Sequence, residues 1–271
     1  VKIILFGSNG MLGSYISSYL GQTHKVVEFT RRDLDISLSS KEEIINFLNK
    51  HVKEEDLIIN AAGVIKQRDV SLFEMIKVNS LFPNILADFK NKKQCNVIHI
   101  TTDCVFSGHK GQYTENDLHD CLDDYGKTKS LGENPNLTII RTSIIGEELF
   151  NKVSLLEWAK SKKATSVHGY INHLWNGVTC LELAKVIKTI NLQNDYWQGV
   201  KHFFSKNTVS KNELLQQISD VYNLQLQINE HNTEHHVYRD LFSNFVKTKT
   251  DKTIKEQLQE MKDYNLLERC K

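Results

Sequence analysis

The sequence predicts an α/β protein: a Rossmann-type doubly wound parallel sheet with a smaller mixed α/β C-terminal substrate lobe. Three observations predict it. Short, continuously apolar runs alternate with helical stretches through the first 150 residues, as strands buried on both faces of a parallel sheet do. A glycine-rich turn follows the first run. A tyrosine and a lysine four residues apart fall on a later helix, one turn apart on the same face.

Lys2–Phe6 is the first strand, and Gly7, Gly10 and Gly13 punctuate the turn into an amphipathic helix from Met11 to Leu20. Lys25–Phe29 is the second strand. Ser40-Lys-Glu-Glu43 is a capping box that opens a helix running to Lys50. Leu57–Asn60 and Asn96–Thr101 are further strands, with a helical region over Ser71–Phe89 that Pro83 bends or divides. Leu137–Arg141 is another strand. The regularity then weakens. Helices are expected at 153–162, 179–190, 211–222 and from Thr253, and short strands at Lys201–Phe204 and Leu224–Ile228. The expected division is a cofactor-binding part over 1–150 and a mainly substrate-binding lobe over 151–271, in one compact unit with strands free to cross between them.

The bulk numbers narrow the function classes. A 271-residue chain with 40% apolar residues can bury a sizeable core. A formal charge of +1 gives no electrostatic case for nucleic acid or a membrane surface. No apolar run approaches a bilayer span, and the chain enters a strand at once, so no signal peptide is expected. Cys95, Cys104, Cys121, Cys180 and Cys270 form no C-x-x-C pair and read as reduced thiols of a cytoplasmic protein.

The chemistry sits in a few motifs. The glycines have G-x-x-G-x-x-G spacing, one residue longer than the G-x-G-x-x-G fingerprint. Their strand–turn–helix setting suits a pyrophosphate at a helix N-terminus. Thr30-Arg31-Arg32 follows the second strand, where NAD enzymes carry an acid for the ribose and NADP enzymes a cation. NADP (as NADPH) is therefore favoured, while Asp33 or Asp35 leaves NAD open. Asn60-Ala61-Ala62-Gly63 offers small residues against which a cofactor can lie. Thr101, Thr102 and Asp103 end a strand on the side where open parallel sheets bind ligands. Tyr125 is a candidate proton donor and Lys129 the cation that lowers its pKa, with Thr102 holding the substrate oxygen. His231, His235 and His236 lack further ligands at metal-site spacing, so no metal is expected. His173 and Trp175, in the segment from Asn172 to Gly177, fit a substrate pocket or the packing of the second lobe equally well.

The chain resembles the extended short-chain dehydrogenase/reductases, in the dTDP-4-dehydrorhamnose reductase branch. The residues that carry this are Leu5 to Gly13, Ile59 to Ala62, His99 to Phe106, Tyr113 to Glu115, Tyr125 to Glu133 and Arg141 to Ser143. The last third is most similar to a subgroup of sugar-nucleotide reductases linked to UDP-activated 2-acetamido-2,6-dideoxy sugars such as N-acetyl-L-rhamnosamine.

The resemblance implies NADPH-dependent reduction of a nucleotide-sugar 4-ketone. Thr102, Tyr125 and Lys129 would be catalytic. Gly7, Ser8, Asn9, Gly10, Met11 and Leu12 would hold the pyrophosphate, Arg31 and Arg32 the 2′-phosphate, and Asp35 and Ile36 the adenine. Asn60, Ala61 and Ala62 would lie on the ribose side, with Thr101, Thr142 and Ser143 by the nicotinamide. Thr102, Asp103, Cys104, Asn172, His173 and Trp175 would meet the substrate.

A homodimer is expected from related enzymes. Cys104 stands where the rhamnose branch carries tyrosine, and cysteine at this place acts in 3,5-epimerisation in GDP-fucose synthases. A bifunctional epimerase-reductase is thus the alternative. A second alternative, of another class, is a non-catalytic partner like the regulatory subunit of methionine adenosyltransferase, which the intact Thr102, Tyr125 and Lys129 argue against.

Overall fold

The computed structural model describes residues 2–65 and 70–269. Its first half alternates strand and helix: β1 (Ile3–Phe6), α1 (Met11–Leu20), β2 (Val26–Phe29), α2 (Lys41–His51) and β3 (Leu57–Asn60). One long helical run follows, made of α3 (Leu72–Met75), a π-helical stretch (Ile76–Leu81) and α4 (Phe82–Lys93). Next come β4 (Asn96–Thr102), a 3-10 turn (Asp103–Val105), α5 (Asp124–Leu131), β5 (Thr138–Thr142) and β6 (Ile144–Ile145). Pro83 lies in the first turn after the π stretch, where a missing N–H is tolerated.

The second half holds α6 (Leu155–Ser161), β7 (Ser166–Tyr170), β8 (His173–Trp175), β9 (Val178–Thr179) and α7 (Cys180–Gln193). It continues with β10 (Gly199–His202), β11 (Val209–Ser210), α8 (Lys211–Tyr222), β12 (Gln227–His231), β13 (Val237–Tyr238), α9 (Ile254–Tyr264) and α10 (Leu266–Arg269). The capping boxes read at Ser40 and Ser210 are both formed.

The main sheet runs β10-β5-β4-β3-β1-β2, every pairing parallel. Strand alternation splits β1 between two cores. Ile3 and Leu5 pack with Leu12, Ile16 and Ile187 on one face. Ile4 and Phe6 pack with Ile44, Leu48, Phe82 and Leu86 on the other. The strand order reverses between β1 and β3, so a crevice opens at their carboxyl ends.

Three findings refine the reading of the sequence. The strand expected at Lys201–Phe204 forms two residues earlier, as β10, and joins the main sheet beside β5, with His202 opposite Arg141. The chain therefore crosses back over the division expected at residue 150. The strand expected at Leu224–Ile228 begins later, at Gln227, because Asn223 turns left-handed and Leu224 closes the end of α8 by donating its N–H to Ser219 O. The strand expected at Asn96–Thr101 runs one residue further, to Thr102, and Cys104 lies in the 3-10 turn that follows. Among the described residues, no helix is long and apolar enough to cross a membrane.

Candidate active site

At the crevice, Gly7 has φ +81°, and a side chain there would sit 2.7 Å from Ala62 N. A Cβ at Gly13 would meet Gly7 O at 2.0 Å, so α1 leaves β1 in a contact only glycine allows. Gly10 caps α1 without a side chain, and no acid stands in its first turn. The helix thus presents bare N–H groups and the positive end of its dipole, which suits a pyrophosphate.

One cleft runs from this turn along Thr30, Arg31, Arg32, Leu34, Asp35 and Ile36, with Phe150 and Asn151 as its far lip. Arg31 lies 3.8 Å from Asp35 and stays exposed. Asp33 is outside the cleft wall, because its carboxylate accepts from Thr30 N and Thr30 Oγ1, both at 2.8 Å. Asp35 lines the cleft while accepting from Ser37 N and Oγ.

A second cleft meets the first at Gly10 and Ala61–Gly63. It is lined by Met11, Leu12, Thr101, Thr102, Asp103, Cys104, Tyr125, Lys129, Thr142 and Ser143. The two form one groove. Asn60 and Ser8 are buried and line neither cleft. Asn60 acts on the wall indirectly: its Oδ1 accepts from Ala62 N at 3.1 Å, and its Nδ2 meets His99 Nδ1 at 3.1 Å.

α5 places Tyr125 and Lys129 on one face. The Lys129 ammonium donates to Ile100 O at 2.9 Å. Burial brings its pKa from 10.5 down to about 8, with the charge of Glu133 working the other way. Burial, and then the neighbouring Cys104 thiol, raises the Tyr125 pKa. Tyr125 is therefore a phenol throughout the neutral range. Thr102 Oγ1 donates to Asp103 Oδ1 at 3.1 Å and accepts from Cys104 N at 3.2 Å. Burial raises the Asp103 carboxyl, against the pull of Arg239 and Lys211. The Cys104 thiol is pushed up to about 12, chiefly by burial and then by Asp103.

Phenol, hydroxyl and buried ammonium on one wall can hold an oxygen and deliver a proton to it. The residues fit a dinucleotide, because the glycine cradle, the open helix end and the exposed arginines succeed one another along the groove.

Some residues were not legible in the sequence. Asn79, inside the π stretch, is fully buried and bonds Val64 N, Val64 O and Thr128 Oγ1. A Cβ on Gly63 would stand 3.7 Å from Asn79 Oδ1 and 4.0 Å from Lys129 Nζ, so Asn79 and Lys129 flank the same glycine. An asparagine within a helix, where its propensity is poor, was the available signal. Phe150 and Asn151 on the cofactor-side lip, and Arg239 beside Cys104, carried none.

Asn172, His173 and Trp175 do not reach the cleft wall. Asn172 spends both ends of its amide on Thr233, and His173 Nε2 meets Thr233 Oγ1 at 2.9 Å. Trp175 is 5% exposed beneath the Lys211 ammonium. His231 packs against His168 and Tyr170, whereas His236 stacks on Tyr238. Among the described residues, no group of three His, Cys, Asp or Glu is placed to hold a metal.

Fold and site together define an oxidoreductase of the extended short-chain dehydrogenase/reductase class. The chain belongs to the family described as the RmlD substrate binding domain, whose model matches residues 1–264. It is 29% identical over 224 residues to a dTDP-4-dehydrorhamnose reductase of Aggregatibacter actinomycetemcomitans, covering 77% of this chain and 75% of that protein. In structure it is similar to a dTDP-4-dehydrorhamnose reductase from Clostridium acetobutylicum, with TM-score 0.81, 24% identity and coverage of 97% and 99% of the two chains. The Bacillus anthracis dTDP-4-dehydrorhamnose reductase, solved with NADP, aligns at TM-score 0.80 and 18% identity, over 97% of this chain and 99% of that one.

Proposed function

We propose that the protein uses NADPH to reduce the C4 ketone of a nucleotide-linked 4-keto-6-deoxyhexose. The observation that carries this is the single groove running from Arg31 and Arg32 past the glycine cradle to Tyr125, Thr102 and Lys129. The Aggregatibacter relative supports the substrate class.

The bound cofactor supplies hydride to the carbonyl carbon. Arg31 and Arg32 attract its 2′-phosphate, and the Gly10 end of α1 its pyrophosphate. Thr102 and Tyr125 hold the substrate oxygen, and Tyr125 gives it a proton. The Lys129 ammonium stabilises the phenolate that results. Thr142 and Ser143 close the nicotinamide side. The finer reading places a UDP-2-acetamido-2,6-dideoxyhexos-4-ulose beside dTDP-4-dehydrorhamnose as the substrate. A cytoplasmic homodimer completes the reading, and light scattering checks its assembly.

Two alternatives lose ground. A Cys104 thiol with its pKa near 12 stays protonated at neutral pH and is a poor base for epimerisation. A non-catalytic subunit has no need of Tyr125, Thr102 and Lys129 gathered on one cleft. The test is NADPH oxidation with UDP- and dTDP-4-keto-6-deoxy sugars. Turnover is expected with at least one, and none with any of them would sink the reading.

A further inference from the structure

A buried ion pair lies at the end of the catalytic helix, and neither of its members lines the groove. Glu133 comes four residues after Lys129. Gly132 closes α5 in helical geometry, its N–H donated to Lys129 O at 3.1 Å, so Glu133 falls one turn beyond Lys129 on the same face. A Cβ at Gly132 would meet Asn79 O at 2.1 Å, so glycine lets this turn press against the π-helical stretch. The Glu133 side chain is 4% exposed and holds the Arg141 guanidinium with both oxygens. Arg141 Nε donates to Oε1 at 3.0 Å, and Nη2 donates to Oε2. A two-pronged contact of this kind fixes the carboxylate in place.

Arg141 spends its other donors on neutral acceptors. Nη1 donates to His202 Nε2 at 2.8 Å, and Nη2 to His119 Nε2 at 2.7 Å. Each ring nitrogen facing the guanidinium accepts, so each imidazole carries its proton on Nδ1. His202 Nδ1 then donates to Phe242 O at 2.8 Å, and His119 Nδ1 to Ser130 Oγ at 2.5 Å, back on α5. The guanidinium also lies over the Phe106 ring, 5.0 Å from its centroid. The cluster thus ties α5 to β5, to β10 and to the loop that precedes the helix.

The titrating groups that face this pair come from each of those elements. His119 stands 3.5 Å from Glu133 Oε2. Burial lowers its pKa, opposed by Glu133 and Asp120 and assisted by Arg141. Burial and then Arg141 bring His202 down to about 4, against the pull of Glu115 and Glu133. Beside Lys129, burial and the ammonium itself keep His99 on β4 neutral, and Tyr125 on the same helix is a phenol whose pKa burial raises. The π-helical stretch offers Asn79 and Ser80, which carry no charge. Neither the imidazoles nor the phenol change charge as the pH rises through about 8, so that step belongs to Lys129. Burial drives its proton off, and Glu133 is the charge that opposes the loss.

We propose that Glu133 is a positioning residue of the reduction: clamped by Arg141 one turn beyond Lys129, it supplies the fixed negative charge that keeps the ammonium protonated on the Tyr125 face of α5. This rests on the reductase reading, in which Lys129 stabilises the phenolate left by proton transfer. Glu133 acts through Lys129 and meets neither cleft.

The experiment compares wild type with Glu133→Gln, Glu133→Asp and a double variant, Glu133→Gln with Arg141→Gln. The double variant strands no unpaired guanidinium in the interior, so it serves where Glu133→Gln alone does not fold. One readout is the pH profile of kcat/KM at saturating NADPH with a nucleotide-linked 4-keto-6-deoxy sugar. The other is the titration of Lys129 itself, followed at its ε-carbon by NMR of lysine-labelled protein and assigned by its loss in Lys129→Met. In both neutral variants the two midpoints should fall by roughly 1 pH unit, and the rate lost at neutral pH should return on acidification. Glu133→Asp keeps the charge and should hold both midpoints near wild type. A Lys129 titration that stays in place in the folded neutral variants, or a kcat/KM lowered equally at every pH, would overturn the proposal. A titration that moves as expected, in a protein that reduces no ketone, would remove the reductase reading and leave the link between Glu133 and Lys129. Normal reduction with unmoved midpoints would do the reverse.

Discussion

Replacing Lys129 with methionine should abolish turnover while shifting how the fold responds to pH. Lys129 is 5% exposed, and the pKa of its ammonium falls from 10.5 to about 8. At about 1.4 kcal/mol per tenfold in proton affinity, holding that charge inside the fold costs ~3 kcal/mol. The sign follows from proton counts. Between pH 8 and 10.5 the unfolded chain keeps this proton and the folded one does not, so wild-type stability rises with pH across that window. Below pH 8 the whole cost is present. Methionine removes it but leaves Ile100 O without its donor, a loss of roughly 1–3 kcal/mol. The variant should thus match or slightly exceed wild-type stability at pH 7, and fall below it by roughly 1–3 kcal/mol near pH 10.5. Urea denaturation of both proteins at the two pH values measures this difference, since all other titrating groups are shared. A stability gap that does not change with pH would refute the claim that burial strains the ammonium.

Wild-type kcat/KM for reduction should decline as pH rises through about 8, where Lys129 loses its proton; an unchanged rate well above that pH would separate Lys129 from the proton step. Tyr125→Phe should keep NADPH binding and lose roughly 10²-fold or more in turnover, read by steady-state kinetics beside a cofactor titration. The wild-type enzyme should prefer NADPH to NADH, and Arg31→Ala with Arg32→Ala should erase most of that preference in paired KM measurements. Turnover in D₂O should leave C3 and C5 of the sugar unlabelled; label that disappears in Cys104→Ser would establish epimerisation.

What was legible in the sequence was local. Gly7 and Gly13 announce a turn because only glycine tolerates the contacts made there. Tyr125 and Lys129 announce a site because a four-residue step on a helix brings them together. The rest depends on distant partners. Arg239 meets Cys104 across 135 positions, with no periodic pattern around either to signal it. Asn79 lies in a stretch whose apolar spacing reads as helix but says nothing of its π-helical winding. The sequence shows strand character at Lys201–Phe204, but the strand forms two residues earlier, at Gly199–His202, and its choice of the main sheet is made by the open edge of β5. His173 looked equally able to bind or to pack, and Thr233, about 60 residues on, decides where its ring nitrogen and the Asn172 amide go.

The place of β10 bears on how this scaffold can be rebuilt. A chimera joined once near residue 150, to import a relative's sugar preference, would also replace the outermost strand of the cofactor-side sheet. Val200 and His202 are in register with Ile139 and Arg141, so a foreign strand would have to match that ladder residue by residue. The helix before it, α7, packs on α1 and would have to match as well. A transplant that respects the architecture keeps Cys180–His202 from the host and exchanges the segments on either side of it. An exchange of the C-terminal lobe is therefore made as two inserts rather than as one block.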